Sequence, residues 1–201
     1  MNRLTPRNVL LATAATLFVA AAGFVTLKGG EAQEPTQVRA ADHVVQRGEY
    51  LVKIMGCNDC HTPWKMGPQG PEPDMTRALT GHPQDVVMPP APAASGPWIW
   101  HGGATNTAFA GPWGVSFTAN LTPDKETGLG TWTEEMFIAT MRTARHQGKG
   151  RPILPPMPVK MIGRANDEDL KSIFAYLQSL APVKNKVPAP IEPAGSDELK
   201  K

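Results

Sequence analysis

The amino-acid sequence predicts an all-α fold with few helices and long connecting loops. Three segments repeat apolar residues every three or four positions, which is the period of an amphipathic helix. The 201 residues include 21 prolines and 19 glycines, and this content favours long ordered loops and leaves little room for sheet. A chain of this length fits one domain plus extensions.

The charge of the chain is nearly balanced, with 20 Lys and Arg against 18 Asp and Glu. A protein that binds nucleic acid usually carries a strongly basic surface. The sequence therefore gives no indication of nucleic-acid binding.

The first 27 residues have the pattern of a signal peptide or a transmembrane anchor. Arg3 and Arg7 precede an uncharged run over residues 9–27. At about 1.5 Å per residue this run would span about 28 Å as a helix, close to the thickness of a bilayer core. We expect an uncleaved N-terminal hydrophobic helix that anchors the protein to the membrane, with a cleaved peptide as the alternative. The rest of the chain would then lie on the periplasmic side of the cytoplasmic membrane, or be soluble in the periplasm after cleavage.

Three further regions follow this segment. Residues 28–42 are polar and are interpreted as a linker. Residues 43–187 carry the helical patterns and form the predicted compact domain. Residues 188–201 combine prolines with a charged end, so we expect an extended or disordered tail.

The first helical pattern covers about residues 41–55 and ends at Gly56. Gly48 lies inside it, although a glycine in a helix costs about 1 kcal/mol relative to alanine. Such a glycine usually marks a place where another helix crosses closely. We expect a crossing at Gly48, with a tolerated surface glycine as the alternative.

The motif C-x-x-C-H follows this helix at residues 57–61, and it is typical of covalent c-type haem attachment. Two thiols three positions apart can each add to a vinyl group of one porphyrin, and the next residue then lies under the iron. The motif therefore predicts Cys57 and Cys60 as thioether anchors and His61 as the proximal iron ligand.

Three other sites use similar residues. A structural zinc site needs four ligands, whereas the chain has only two cysteines. A thioredoxin-like pair needs a βαβ context, but the flanks here are helical before the motif and rich in Pro and Gly after it. A disulfide would suit an exported protein but leaves His61 unexplained.

Residues 62–119 are irregular, and their many prolines exclude a long helix or a central strand. A structureless segment of this length is often functional or ordered by something that it wraps. Its large apolar side chains could pack on the edge of a porphyrin or form a satellite hydrophobic cluster under the loops. These side chains are Trp98, Trp100, Phe109, Trp113 and Phe117.

Two more helices follow. Thr133 is the predicted N-cap of a helix that ends near Gly148, with Arg145 and His146 in its last turn. Asn166 caps the last helix, and Asp169, three positions on, suggests a variant of the capping box.

A rigid stretch lies between these two helices, at residues 151–158. It places Met157 between two prolines. Such a segment holds one side chain in place with little entropy to lose.

Seven strings in this order resemble a class I monohaem cytochrome c domain. They are RGEYLV at 47–52, GCNDCHT at 56–62, NLTPD at 120–124, TGLGTWT at 127–133, RTARH at 142–146, LPPMP at 154–158 and DEDL at 167–170. The likeness spans residues 43–187. It is strongest to the cytochrome subunits of bacterial membrane-bound alcohol and sugar dehydrogenases.

The resemblance implies a class I cytochrome c fold with one covalent haem c. Cys57 and Cys60 would bind the haem, and His61 and Met157 would be the metal ligands. Met161 is the rival of Met157, but it lacks the proline on each side. A bis-His site is a further alternative, although its candidates are expected to be surface or loop histidines. They are His43, His82, His101 and His146.

The resemblance also implies contacts within the domain. Gly48 and Tyr50 would cross Phe174 and Tyr176, where the first and last helices meet. The haem propionates would meet three further side chains. These are Asn120, Trp132 and Arg145.

With both axial positions filled by protein, the iron has no place for a substrate, which argues against catalysis. The expected function is electron transfer on the outer face of the cytoplasmic membrane, between a dehydrogenase or quinol-oxidising complex and a terminal acceptor. Redox proteins, including a membrane complex, would be the partners. A fixed haem subunit of a larger respiratory or photosynthetic membrane complex is one alternative. A haem enzyme, or a gas or peroxide sensor with a displaceable sixth ligand, is another.

Overall fold

The computed structural model describes residues 40–91 and 96–193. The expected signal peptide or anchor at residues 1–27 lies outside the described residues, as do most of the linker and residues 194–201. Among the helices described, none is both long and apolar enough to cross a membrane.

Five helices and five short strands make up the described chain. The helices are α1 (Ala40–Ile54), α2 (Cys57–His61), α3 (Glu134–Thr143), α4 (Val159–Ile162) and α5 (Asp167–Ser179). The strands are β1 (Trp64–Gly67), β2 (Gly70–Pro73), β3 (His101–Gly102), β4 (Ala108–Gly111) and β5 (Gly114–Phe117). Two short 3₁₀ turns, Met75–Arg77 and His146–Gly148, complete the secondary structure.

The prediction of an all-α fold is not confirmed, because the irregular loop contains two antiparallel sheets. Strands β1 and β2 form a hairpin, and β3, β4 and β5 form a three-stranded sheet. The prolines of this region that the structure describes lie in β2, which has only one neighbour, or outside the strands. The expectation that residues 62–119 contain no central strand is wrong, because β4 pairs with both β3 and β5. Strand β4 has the sequence AFAG and no proline, so it can pair on both sides.

Helices α1 and α5 form the central contact of the domain. A Cβ atom on Gly48 would overlap the backbone oxygen of Ser172, so the predicted close crossing at Gly48 is confirmed. Arg47 pairs with Asp169 at 2.9 Å beside the crossing. Tyr50 has 53% of its surface exposed and lies under the Arg47 guanidinium, outside the buried crossing where it was expected.

The hydrophobic core surrounds this crossing. Its buried members are Leu51, Val52, Leu79, Leu129, Phe137, Ile162, Leu170, Ile173, Phe174 and Leu177. Cys57 and Met157 pack against it from the side. The core therefore fixes two of the residues that the sequence predicts for the functional site.

The N-caps of α3 and α5 are confirmed. The Thr133 hydroxyl accepts the Met136 N–H at 3.2 Å, and the Asn166 side chain accepts the Asp169 N–H at 2.7 Å. The carboxylate of Asp169 binds Arg47, so it acts between two helices and not as half of a capping box.

Helix α3 is shorter than predicted, and its expected end at Gly148 is wrong. Ala144 takes a left-handed conformation with φ 55°, and its carbonyl accepts the Ile153 N–H at 2.9 Å. The His146 N–H donates to the Arg151 carbonyl at 3.0 Å. Backbone pairing with residues 151–153 therefore replaces the last turn of the predicted helix.

The chain after α5 is extended and packs on the domain. Ile191 exchanges two backbone hydrogen bonds with Val115 of β5. The buried Asn185 side chain donates to the carbonyls of Thr80 and His82 and accepts the Gln84 N–H.

His82 lies in a loop, which is one of the two places expected for it, but it is fully buried. Its Nε2 donates to the Val86 carbonyl at 2.9 Å, because a carbonyl can only accept. Nδ1 of the neutral ring then accepts the Thr107 hydroxyl at 2.9 Å. Burial lowers the pKa of His82, and the Val86 carbonyl acts in the opposite direction.

We expect Gly48→Ala to destabilise the fold, although alanine is the better helix former. The added Cβ would overlap the Ser172 carbonyl, and overpacking of this kind costs about 1–3 kcal/mol. Thermal unfolding should show a melting temperature several degrees below that of the unchanged protein. Gln46→Ala, at an exposed position of the same helix, is the control and should change little. An unchanged melting temperature for Gly48→Ala would contradict the close crossing.

The burial of His82 predicts a pH dependence of stability. Because its pKa is lower in the folded than in the unfolded protein, the unfolded chain binds the proton first as the pH falls below 6.5. The free energy of unfolding should therefore decrease from pH 6.5 down to the lowered pKa and then level off. Urea unfolding across this pH range should show a smaller decrease in the free energy of unfolding for His82→Gln than for the unchanged protein. The exposed His43→Gln should keep the original decrease, and equal curves for both variants would contradict the assignment.

Candidate functional site

The turn between α1 and α2 presents the two cysteines and the histidine of the motif. Gly56 has a φ of 68°, a left-handed conformation that glycine adopts without strain. A side chain there would also meet the Asp59 carboxylate at 2.8 Å. Helix α2 therefore begins directly where α1 ends, and the position of α1 determines that of the motif.

His61 is buried, with 7% of its surface exposed, and its ring is oriented by one hydrogen bond. Nδ1 donates to the Ala119 carbonyl at 2.8 Å, because the carbonyl can only accept. The proton on Nδ1 leaves the Nε2 lone pair available to a metal. Burial lowers the pKa of His61, and the bond to Ala119 opposes this effect.

The loops on either side hold the motif in place. The Thr62 hydroxyl donates to Asn58 Oδ1 at 2.9 Å and accepts the Leu79 N–H at 3.0 Å. The Asp59 carbonyl accepts from the side chains of Trp64 and Asn106 at 3.0 and 2.8 Å. The motif is thus bonded to three separate parts of the loop region.

The predicted site residues line one cavity of about 350 Å³, within the size range of ligand pockets. Four of them are present in its wall, namely Cys57, Cys60, His61 and Met157. Other walls come from β5, α3, α5 and residues 151–158.

The two cysteines are free thiols. Burial raises the pKa of Cys57 to about 11 and also raises the pKa of Cys60. Thiols that act in redox pairs have a lowered pKa, so these two do not resemble a thioredoxin-like pair. Within residues 40–91 and 96–193, no group of three or more His, Cys, Asp and Glu side chains could hold a metal ion.

Met157 reaches the cavity from a braced segment. The Ser116 hydroxyl of β5 donates to the Pro155 carbonyl at 2.6 Å. Met161, the rival ligand, has 59% of its surface exposed and does not line the cavity.

Of the four other histidines, His146 alone lines the cavity in the described structure. Its ring packs edge-on against Trp132 at 5.0 Å between centroids. Burial and the nearby Arg151 lower the pKa of His146. His146 is therefore the histidine that would compete with Met157.

The three residues proposed for the propionates differ in position. Trp132 and Asn120 line the cavity, but Arg145 does not, and its guanidinium donates to the Gly150 carbonyl. Both amide hydrogens of Asn120 have partners, Thr127 and the Val183 carbonyl.

Several polar lining residues were missed by sequence reasoning, Arg151 and Thr118 among them. Arg151 lines the cavity in place of Arg145, and its position at the start of the rigid stretch with Met157 could have indicated it. Thr118 also lines the cavity, and its hydroxyl is buried without a hydrogen-bond partner. No sequence motif marks Thr118.

The aromatic side chains of the loop separate into two groups. Phe109 and Phe117 line the cavity, whereas Trp98, Trp100 and Trp113 do not. The expected packing on a porphyrin is thus possible for the phenylalanines only.

The lining residues fit a c-type haem. Two thiols, an available imidazole nitrogen and a thioether face one space with apolar walls. The unpartnered Thr118 hydroxyl and the Arg151 guanidinium could meet acidic groups of a ligand.

The chain is similar to several curated proteins, and no family model matches it. It is 36% identical to a nicotinate dehydrogenase subunit of Pseudomonas putida over 91 residues, which cover 44% of this chain and 8% of that protein. It is 28% identical to the fructose dehydrogenase cytochrome subunit of Gluconobacter japonicus over 170 residues, covering 85% of this chain and 28% of that protein. It is 27% identical to the alcohol dehydrogenase (quinone) cytochrome c subunit of Gluconobacter oxydans over 152 residues, covering 74% of this chain and 24% of that protein.

These comparisons confirm the resemblance drawn from the motifs: homologues of the chain are cytochrome c subunits of bacterial dehydrogenases. The chain spans less than a third of the length of each of these relatives.

We expect Thr62→Val to destabilise the motif, because the change leaves the buried Leu79 N–H without an acceptor. Such a loss costs about 1–3 kcal/mol. Urea unfolding should give a lower free energy of unfolding than for Thr131→Val, which changes an exposed threonine. Equal values for the two variants would show that the Thr62 bonds do not support the motif.

Proposed function

We propose that this chain transfers electrons through one covalently bound haem c, with His61 and Met157 as the iron ligands. The observation that carries the proposal is that Cys57, Cys60, His61 and Met157 line one cavity. The hydrogen bond from His61 Nδ1 to Ala119 supports it further, because it leaves Nε2 for the iron. The 201 residues contain only two cysteines, which is enough for one attachment site.

Haem c, when bound, supplies a one-electron carrier. Cys57 and Cys60 would hold it through thioether bonds, and His61 would present Nε2 from a ring that the Ala119 carbonyl keeps in one orientation. Met157 presents a thioether, a ligand that raises the reduction potential. The prolines around Met157 and the Ser116 bond keep this ligand in place with little loss of entropy.

Arg151, Thr118 and Trp132 are the side chains that we assign to the haem propionates. A guanidinium forms charge-assisted hydrogen bonds with carboxylates, and the Thr118 hydroxyl has no other partner. Burying an acidic group beside them costs less than burying it in an apolar wall.

We further propose that the chain accepts electrons from a dehydrogenase and is not itself the catalytic subunit. With His61 and Met157 as iron ligands, the haem would have no position left for a substrate. The relatives are cytochrome subunits of fructose and alcohol dehydrogenases, which favours a fixed subunit of such a complex over a diffusible carrier. The acceptor would be another redox protein.

The location of the domain is part of the proposal. The basic residues Arg3 and Arg7 before an apolar run favour a domain on the periplasmic side of the cytoplasmic membrane.

The assignment of Met157 predicts a clear change in Met157→Ala. The haem-loaded full chain should bind carbon monoxide slowly or not at all when reduced, because the sixth position is filled. Met157→Ala should bind it rapidly and have a lower reduction potential, since the thioether is lost. Absorption spectra with and without carbon monoxide, and a redox titration, measure both effects.

Met161→Ala is the matched control, because Met161 is exposed and lies outside the cavity wall. It should behave as the unchanged protein. If Met157→Ala kept its spectrum and potential, the ligand would be another residue, and His146→Phe would be the next variant. Rapid carbon monoxide binding by the unchanged protein would instead favour a sensor or a haem enzyme.

A further inference from the structure

An exposed apolar patch precedes strand β3, and we call residues 98–100 the tryptophan patch. Trp98, Ile99 and Trp100 have 69%, 63% and 43% of their surfaces exposed. With their neighbours they line a groove of about 430 Å³. Single exposed apolar side chains are common, but contiguous large ones usually mark an interaction site.

The patch lies in a region without charge. No Asp, Glu, Lys or Arg occurs in the sequence from residue 86 to residue 123, although charged residues make up 19% of the chain. A charge placed on the patch by a partner would find no oppositely charged side chain in this stretch of the chain, and burying an unpaired charge is unfavourable. The surface that fits here is therefore apolar and uncharged.

The patch is connected to the cofactor cavity by one pair of aromatic rings. Trp100 meets Phe109 edge-to-face, with ring centroids 5.9 Å apart. Phe109 is buried, with 3% of its surface exposed, and lines the cavity. The pairing of Gly102 with Phe109 between β3 and β4 fixes this contact in the backbone.

We propose that the tryptophan patch is where the dehydrogenase subunit docks, through an uncharged apolar surface of its own. This inference rests on the electron-transfer function proposed above. The substrate-reduced dehydrogenase loses one electron and is oxidised, and the haem gains that electron and is reduced. No bond forms or breaks, and the transfer occurs near the Trp100–Phe109 pair.

The size of the patch favours a larger protein over a second copy of this chain. Two tryptophans and an isoleucine at these exposures present on the order of 400 Å². A stable complex buries about 800 Å² on each partner. Two copies of the patch facing each other would bury only about 800 Å² in total, the range of crystal-packing contacts. A larger partner can add a polar rim around the patch.

A lipid surface fits the patch less well. Peripheral proteins usually combine apolar side chains with Lys and Arg that attract anionic headgroups. The 38 residues around the patch supply no such basic side chain.

The test compares two routes of haem reduction in the haem-loaded full chain. The first route uses membranes of the organism that makes the chain, supplied with fructose, ethanol or gluconate. The second uses ascorbate, which needs no docking site. Trp98→Ser and Ile99→Ser should each lower the rate with membranes at least about tenfold, the size expected for a residue at the centre of an interface. The rate with ascorbate and the reduction potential should stay unchanged.

Ile54→Ser is the control, because Ile54 is 59% exposed on α1 and lies outside the charge-free region. It should leave both rates unchanged. A folding defect in a patch variant would lower its rate with ascorbate as well as with membranes. Two patch variants are used so that one can still be interpreted if the other misfolds.

Three results would overturn the docking proposal. The first is an equal rate with membranes for the patch variants and the unchanged protein. The second is a concentration-dependent dimer in sedimentation that Trp98→Ser abolishes without changing the rate, which would assign the patch to a second copy. The third is binding to phosphatidylglycerol vesicles that Trp98→Ser abolishes without changing the rate, which would assign it to lipid.

A failure of the proposed electron-transfer function would give a different result from a failure of the docking proposal. If ascorbate reduced the unchanged protein but no membrane donor did, electron transfer from a dehydrogenase would be wrong, and the docking proposal would fall with it. If membranes reduced the unchanged protein and the patch variants alike, the function would stand and only the docking site would be wrong.

Discussion

The close approach of α1 to α5 at Gly48 is the constraint on which the rest of the domain depends. Any side chain at this position would overlap the backbone of Ser172, so the two helices can share their apolar faces only because residue 48 is glycine. The crossing fixes the direction of α1. The turn at Gly56 then fixes the orientation of α2 relative to α1. The same α5 contributes Ile173 and Leu177 to the cavity wall. One backbone contact thus positions both the motif and the opposite side of its pocket.

The other half of the cavity is built from irregular chain that is joined by hydrogen bonds. Ser116 binds Pro155, Val115 binds Ile191, and Asn185 binds the loop at residues 80–84. Strand β5 is therefore bonded to the Met157 segment and to the chain after α5 at the same time. The long loop is thus a scaffold for Met157, and Ala119 at its end orients His61.

The features that sequence reasoning predicted are those encoded locally. The N-caps at Thr133 and Asn166 depend on a side chain and an N–H three residues apart, and the spacing of Cys57, Cys60 and His61 is set by a single helical turn. What it could not predict depends on distant pairing. Helix α3 stops early because residues 144–146 bond to residues 151–153. The burial of His82 depends on Thr107 and on Asn185, which are remote in sequence. The same backbone pairing explains why Arg151 lines the cavity instead of the predicted Arg145.

Charged residues are distributed unevenly between the helices α1 and α5 and the long loop. Around α1 and α5, ion pairs such as Arg47 with Asp169 lie over the helix crossing, where they keep apolar helices soluble and add little stability. The loop from residue 86 to residue 123 has no such charges, yet it contributes Phe109, Phe117 and Thr118 to the cavity. A loop that served only to cover the cavity would gain solubility from charged residues on its outer face. The absence of charge is therefore better explained by contact with another surface than by the needs of the cavity. Trp100, which is 43% exposed, contacts the buried Phe109, so a partner on this surface would come close to the cavity wall.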